Sequence, residues 1–272
     1  MNTITLEELN AVASLQTRVD RKYALRSDDA LDILNLLPPQ TRVLEIDGNQ
    51  APHYASMYFD TPDLASFRMA AHARRRRFKL RTRAYLESDL AFLELKTRGA
   101  RSTTVKERLE YDIHRRDELT DDGRSYAEPL LDELHIDPDA LGPTLSTRYR
   151  RRTLLLPGGS RATVDTELEW EDAAGGLLRR PGLVIVETKS AGAASELDKL
   201  LWRHGHRPAT LSKYGTGLAA CAPPCPPTSG TACCAVTSTR PDLDTAATPP
   251  TRSPTEERRP GAAHSITEGA RP

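Results

Sequence analysis

From Phe78 to Tyr85 the chain reads "FKLRTRAY", placing Lys79, Arg81 and Arg83 on one side and Phe78, Leu80, Thr82 and Ala84 on the other. A period of two is the period of a strand. Four arginines, Arg74 to Arg77, lead into it. Like charges in a row repel, so an anion is expected opposite them. The pattern recurs along the chain. "AFLELKTR" sets Glu94, Lys96 and Arg98 against Leu93 and Leu95, and "TTVKERLEY" sets Lys106, Arg108 and Glu110 against Val105 and Leu109. "ATVDTELEW" aligns Asp165, Glu167 and Glu169 against Val164, Leu168 and Trp170, and "LVIVETKS" closes on Glu187 and Lys189. The wet face of an antiparallel sheet explains any one of these strands. The set asks for more, because Glu-x-Lys occurs twice inside strongly apolar strands, in "LELKT" and "IVETK". A sheet that closes with its charges inside and its aliphatic faces against helices satisfies all of them. Such a lumen must stay wet and charge-balanced, since unpaired buried charge is very costly.

Eight strand segments are expected: "RVDRKYAL", "HYASMYFD", "RFKLRTRAY", "AFLELKTR", "TTVKERLEYDI", "TLSTRYRRRTLLL", "RATVDTELEW" and "GLVIVETKS". Helices are expected in "SDDALDILNLLPP" with Ser27 as cap, in "TPDLASFRMAAHA" with Thr61 as cap and Pro62 in the first turn, in "SYAEPLLDELHID", and in "SELDKLLWRHG" between Ser195 and Gly205. The expected class is α+β: an antiparallel closed β-barrel, or tunnel, of about eight strands with a charged lumen and peripheral helices. Barrels of that size admit packed side chains or one small ligand.

Charge and composition narrow the partners. The chain carries 38 basic and 38 acidic residues. A neutral balance argues against a nucleic-acid coat and for a local pocket of charge. After Ala219 the composition turns to Pro, Thr and Ala with few large aliphatics, too little to offset the entropy of ordering. The expected organisation is therefore a folded domain over residues 1–219 and a disordered tail over residues 220–272. All four cysteines, Cys221, Cys225, Cys233 and Cys234, fall in that tail, so the domain needs no disulfide and suits a reducing cytoplasm. No signal peptide and no apolar run of about 20 residues is visible, so membrane association would need a partner protein.

A lumen of Lys and Arg with a minority of carboxylates suits phosphate chemistry. Guanidinium and ammonium groups hold phosphate oxygens, and carboxylates hold a hard divalent cation that bridges them. Phosphoryl transfer needs mainly positioning and electrostatics. No Gly-rich phosphate loop competes for the role; "LPGGSR" reads as a hairpin turn. None of the histidines forms a metal-ligand grouping beyond His204-x-His206, and Trp170 and Trp202 read as packing residues.

Taken in order, "RKY", "YFDTPDL", "KLRTRAY", "FLELKTR", "TVKERLEY", "YRRRTL…RATVDTEL", "VIVETKS" and "LSKYGTG" resemble the VTC domain, the polyphosphate polymerase module of the CYTH-like triphosphate tunnel metalloenzymes. The likeness spans about residues 18 to 217. It implies a tunnel that binds ATP and a polyphosphate chain and transfers the γ-phosphate with Mn²⁺ or Mg²⁺. By the resemblance, phosphate-binding basic residues fall on Lys22, Arg81, Arg83, Lys96, Lys106, Arg151 and Lys213, and the metal-binding glutamate on Glu187. Lys189 and Ser212 belong to the same motifs, and Asp20 stands where many superfamily members place a glutamate. Within "RYRRR", strand parity alone would equally admit Arg150. Arg81, Arg83 and Lys96 are the expected catalytic set, and the other basic residues extend the path of the chain. The alternatives are an inorganic triphosphatase of the same fold, or a module that binds polyphosphate or nucleotide without turnover.

Overall fold

The computed structural model describes residues 1–13, 18–98 and 104–221. The tail expected beyond residue 219, with Cys225, Cys233 and Cys234, lies outside the described residues from position 222 on. Among these residues eleven strands and six α-helices follow one another as β1 (Asn2–Ile4), α1 (Leu6–Val12), β2 (Val19–Arg26), α2 (Ser27–Asn35), β3 (Arg42–Leu44), β4 (His53–Asp60), α3 (Ala65–Ala71), β5 (Phe78–Tyr85), β6 (Leu90–Arg98), β7 (Thr104–Tyr111), α4 (Asp121–Glu133), β8 (Gly142–Leu155), β9 (Arg161–Asp172), β10 (Leu177–Arg180), β11 (Leu183–Ser190), α5 (Glu196–Arg203) and α6 (Lys213–Cys221). All eight expected strands form. The additional ones, β1, β3 and β10, are too short to show a period.

Helix starts differ from the sequence reading where capping chemistry differs. Arg26 is the N-cap of α2 and makes no side-chain cap bond, so Ser27 is already helical. Thr61 does bond the Ala65 N–H through its hydroxyl, yet α3 begins only at Ala65, after Leu64 in the left-handed region. Asp60 explains the delay. Its carboxylate accepts from the backbone N–H groups of Thr61, Ser66 and Phe67, and from the Tyr214 hydroxyl at 2.6 Å. "YFDTPDL" is thus a buried carboxylate joining the end of β4 to α3 and α6. α4 starts earlier than expected, at Asp121, with the Thr120 side chain accepting from Gly123. α5 carries a full capping box between Ser195 and Asp198. "LPGGSR" turns the β8–β9 hairpin with Gly158 and Gly159 at φ of 78° and 76°, which only glycine adopts without strain.

The long strands form one antiparallel ladder in the order β2-β11-β9-β8-β4-β5-β6-β7, with β3, β1 and β10 attached at its flanks. One face packs outward on helices. Tyr23, Leu25, Val164, Val184 and Val186 meet α2 and α5 through Ala30, Ile33, Leu197 and Leu201. Phe78, Leu80, Leu93 and Leu95 meet α4 through Ala127 and Leu131. The other face turns inward. One end of it is filled by Tyr58, Leu145, Trp170, Ile185 and, from α6, Tyr214. Gly217 lets α6 approach so closely that a Cβ there would lie 2.2 Å from Trp170.

The closed barrel expected from the sequence is not what the ladder shows. β2 and β7 end it, and among the described residues they pair with no further strand. The physical reason lies in the lumen, whose wall carries eleven basic side chains. A closed eight-stranded barrel leaves room for packed side chains or one small ligand, and so many basic side chains enclosed at that size would repel one another at close range. A curled sheet that stops short of closure leaves the cavity without a complete ring of strands around these side chains. Both edges are charged, with Asp20, Arg21 and Lys22 on one and Lys106, Glu107 and Arg108 on the other, which discourages pairing with foreign strands. No helix among the described residues is long and apolar enough to cross a membrane.

Candidate functional site

The curled sheet encloses a cavity of about 380 Å³ whose wall draws on β2, β4, β5, β6, β8, β9 and β11 and on the start of α6. Its lining holds eleven Lys and Arg side chains against three carboxylates. Nine of the ten sequence-predicted site residues reach it: Lys22, Arg81, Arg83, Lys96, Arg151, Glu187, Lys189, Ser212 and Lys213. Lys106, on edge strand β7, stands opposite Lys96 on the same face of the sheet but outside the cavity lining. Its Nζ lies 2.7 Å from Glu94, so it touches the site through that carboxylate.

Two buried carboxylates, neither singled out as site residues by the sequence, organise the cations. Glu94 on β6 is 1% exposed and faces Arg81 across the ladder. Arg81 donates to it from Nε and Nη2 at 3.0 and 2.7 Å, and from Nη1 to the Tyr58 hydroxyl at 3.0 Å. Arg83 lies 3.9 Å from the same carboxylate. Burial pushes the Glu94 carboxyl upward, but Arg81, Arg83 and Lys106 together hold it far below the usual carboxylate range. Asp165 on β9 plays the same part at the opposite wall. It takes Arg151 in a two-point fork at 2.6 and 2.8 Å and is also bonded by Lys213. Its carboxyl is likewise held low against burial by Arg151 and Lys213. Each carboxylate anchors more positive charge than it cancels.

Register decides between neighbours that parity left open. Arg151 pairs across the ladder with Asp165 and faces the cavity, whereas Arg150 donates to the Ala51 carbonyl and sits near Glu167. The row Asp165, Glu167, Glu169 does not share a face. A bulge with Glu167 at φ of 53° adds one residue to β9, so Leu168 and Trp170 turn inward beyond Asp165. Arg77, Lys79 and Arg98 line the cavity as well, although the family motifs did not assign them. Arg74, Arg75 and Arg76 are exposed outside it.

"LSKYGTG" resolves into separate tasks. Ser212 lines the cavity and accepts from the Gly215 N–H at 3.0 Å, capping α6 while keeping its own hydroxyl hydrogen for another acceptor. Lys213 points to Asp165, Tyr214 to Asp60, and the Lys213 carbonyl takes the indole N–H of Trp170 at 2.9 Å. Beside it the Tyr149 hydroxyl is buried without a hydrogen-bond partner among the described residues. Burial pushes that phenol up, but Arg151, Arg83 and Lys213 bring it below its ordinary value.

Glu187 is the carboxylate with oxygen to spare. Its nearest cation is Lys189 at 3.8 Å, whereas Glu94 and Asp165 are occupied by short bonds. Burial raises its carboxyl and Lys189, Lys22, Arg151 and Lys213 lower it, to about 2. Asp20, across the ladder from Lys189, is tied to Arg18 at 2.8 Å. Among the described residues no group of three or more His, Cys, Asp or Glu side chains gathers as a metal cage. One accessible carboxylate in a basic cavity fits Mg²⁺ or Mn²⁺ of the kind that takes most of its ligands from phosphate oxygens and water.

The family model for the VTC domain matches residues 17–222. No curated protein sequence matches the chain. Among solved structures, it is similar to an adenylyl cyclase candidate from Hippeastrum described as having a dominant triphosphatase activity, at 18% identity over 75% of this chain and 96% of that one, with a TM-score of 0.48. It is also similar to an adenylate cyclase candidate from Bacillus halodurans, at 12% identity over 69% and 86% of the two chains, with a TM-score of 0.43. A conserved hypothetical protein of Pyrococcus furiosus gives 13% identity over 69% and 88%, with a TM-score of 0.38.

Proposed function

The chain belongs to the VTC domain family, and from that premise we propose that it is an ATP-dependent polyphosphate polymerase working inside the basic cavity. The observation that carries the reading is the surplus of positive charge on the wall, eleven basic side chains to three acidic ones, in a space of about 380 Å³. A polyanion in the cavity would balance that surplus. In the proposed reaction a terminal oxygen of the polyphosphate chain attacks the γ-phosphorus of ATP. The bond from the γ-phosphorus to the β–γ bridging oxygen breaks, ADP leaves, and the chain is one phosphate longer.

Arg81 enters this step already oriented, since Glu94 and Tyr58 fix its plane and leave N–H bonds on Nη1 and Nη2 for phosphate oxygens. Arg83 adds a buried Nε–H with no partner among the described residues, and Lys96 adds an ammonium opposite Lys79. Lys22, Arg151, Lys189, Ser212 and Lys213 line the rest of the wall and hold the chain in place. Lys106 acts through Glu94. Fixing donor and acceptor in line in this way could supply up to about 7–11 kcal/mol of the barrier. A divalent ion held at Glu187 would offset charge on the phosphate oxygens while the residues around it keep them aligned.

The test is incubation of the full chain with ATP and Mn²⁺, with and without a short polyphosphate primer, followed by ³¹P NMR. The expected result is an internal polyphosphate resonance growing together with ADP, absent in Glu187→Ala. Orthophosphate as the only new product would assign the site to triphosphate hydrolysis. Tight primer binding with no turnover would leave a binding module.

A further inference from the structure

Lys79 opens the stretch "KLRTRAY", in which the resemblance gives roles only to Arg81 and Arg83, yet it lines the cavity. It stands directly opposite Lys96 on the neighbouring strand, and Lys96 in turn stands opposite Lys106. Like charges so placed destabilise a sheet. Among the described residues neither Lys79 nor Lys96 has an ion-pair partner, whereas on the next rung Arg81 and Arg108 flank Glu94. The carboxylate that could have relieved the lysine row is one rung away and already engaged.

We propose that Lys79 is a further phosphate-binding residue, which with Lys96 forms a two-amine clamp that completes its charge only as the anion enters, so that a proton is taken up with each phosphate chain bound. The proposal rests on the reading that this cavity binds phosphate chains.

The surroundings of both amines support it. Lys79 faces Arg81 and Arg77 on its own strand and approach, Lys96 on β6, Tyr58 and Asp60 on β4, Lys22 on β2 and Tyr214 on α6. Burial, then the repulsion of Arg81, Lys22 and Arg77, brings its amine down to about 7, with Asp60 offsetting a part. Lys96 faces Arg81 and Arg83 on β5, Glu94 on its own strand and Lys106 on β7. Arg81 and burial lower it well below the ordinary lysine value against the pull of Glu94. A phosphate group between them reverses the balance, because an anion in contact favours the ammonium form. The stacked rings of Tyr58 and Tyr214, 5.6–5.9 Å from the Lys79 Nζ, can accept that ammonium on their faces. An amine empty of its proton at pH 8 and filled in the complex gives uptake, so affinity falls as pH rises above about 7.

The experiment is titration calorimetry of the full chain with tripolyphosphate at pH 8, metal-free, in buffers of different ionisation enthalpy. Tripolyphosphate can itself lose a proton on binding, so the reading is the difference from Lys79→Arg, whose side chain is always charged. Wild type is expected to take up about one proton more than Lys79→Arg, and Lys79→Met to bind roughly tenfold or more weakly. Equal proton numbers in wild type and Lys79→Arg, or wild-type affinity in Lys79→Met, overturn the clamp while leaving the polymerase reading intact. Failure of tripolyphosphate to bind wild type at all would sink both. Circular dichroism confirms that each variant is folded before its numbers are compared.

Discussion

Arg81 and Glu94 face each other across β5 and β6, and two nitrogens of the arginine, Nε and Nη2, donate to one carboxylate oxygen of the glutamate, Oε2. The other oxygen is left for Lys106 at 2.7 Å and Arg83 at 3.9 Å. One buried anion therefore fixes three cations from two neighbouring strands.

Replacing that anion exposes what it restrains. Glu94→Gln leaves Arg81 and its neighbours uncompensated in a buried site, and is expected to cost about 3–5 kcal/mol of stability. Tripolyphosphate supplies the missing negative charge, so it is expected to raise the Tm of Glu94→Gln more than that of wild type. Thermal melts by circular dichroism with and without the anion check both points. An equal rise in the two proteins would show that Glu94 and the ligand do not serve the same cations.

Glu187→Ala separates binding from turnover. The substitution removes a negative charge from a basic wall without touching any of the short ion pairs. Metal-free tripolyphosphate affinity is expected to stay the same or to increase. Turnover of ATP with metal is expected to fall on the order of 10²-fold or more, the scale of losing one preorganised electrostatic group. Calorimetry and ³¹P NMR on the same preparation read the two effects.

Acid stability follows from the lowered carboxyls. Glu94, Asp165 and Glu187 all have folded values below their unfolded ones, so their stabilisation is fully present above the ordinary carboxylate range near 3.8–4.5 and is lost as pH falls. For Glu187 the loss runs from about 4.5 to about 2, with the other two extending lower. The Tm is expected to be flat with respect to these groups from pH 7 to 5 and to drop below 4.5. Glu187→Gln is expected to show a shallower drop. Lys79 has the opposite effect on the alkaline side: its unfolded form holds a proton that the folded form has shed, so it adds stability as pH rises from about 7.

Gly217→Ala tests the plug at the closed end. A methyl group there meets Trp170 at 2.2 Å and Leu145 at 2.7 Å, both buried. Overpacking of this kind costs about 1–3 kcal/mol, or roughly 2–4 °C of Tm for each of them in a domain of this size. Because α6 carries Lys213 onto Asp165, weaker tripolyphosphate binding is expected to accompany the fall in Tm. Unchanged melting would mean that the helix shifts freely on the sheet.

What the sequence determined by itself is the local pattern. A period of two, read over "FKLRTRAY", "FLELKTR" and "VIVETKS", fixes strands with one aliphatic and one charged face, because successive side chains must point to opposite sides. It also brought Lys22, Arg81, Lys96 and Glu187 onto one wall, since a continuous sheet carries its parity from strand to strand. Period fails where the backbone breaks it. Glu167 has no glycine to announce its positive φ, and the bulge there turned Trp170 from the expected outer face to the inner one. Partnership across strands is set by register, and register depends on every hairpin in the ladder. For that reason Glu94 and Asp165 read in the sequence as two more charges in a row, and only the tertiary structure makes them the anchors of Arg81 and Arg151. Closure was decided there too: among the described residues β2 and β7 end the ladder without pairing, and the sheet curls around a cavity walled by eleven basic side chains.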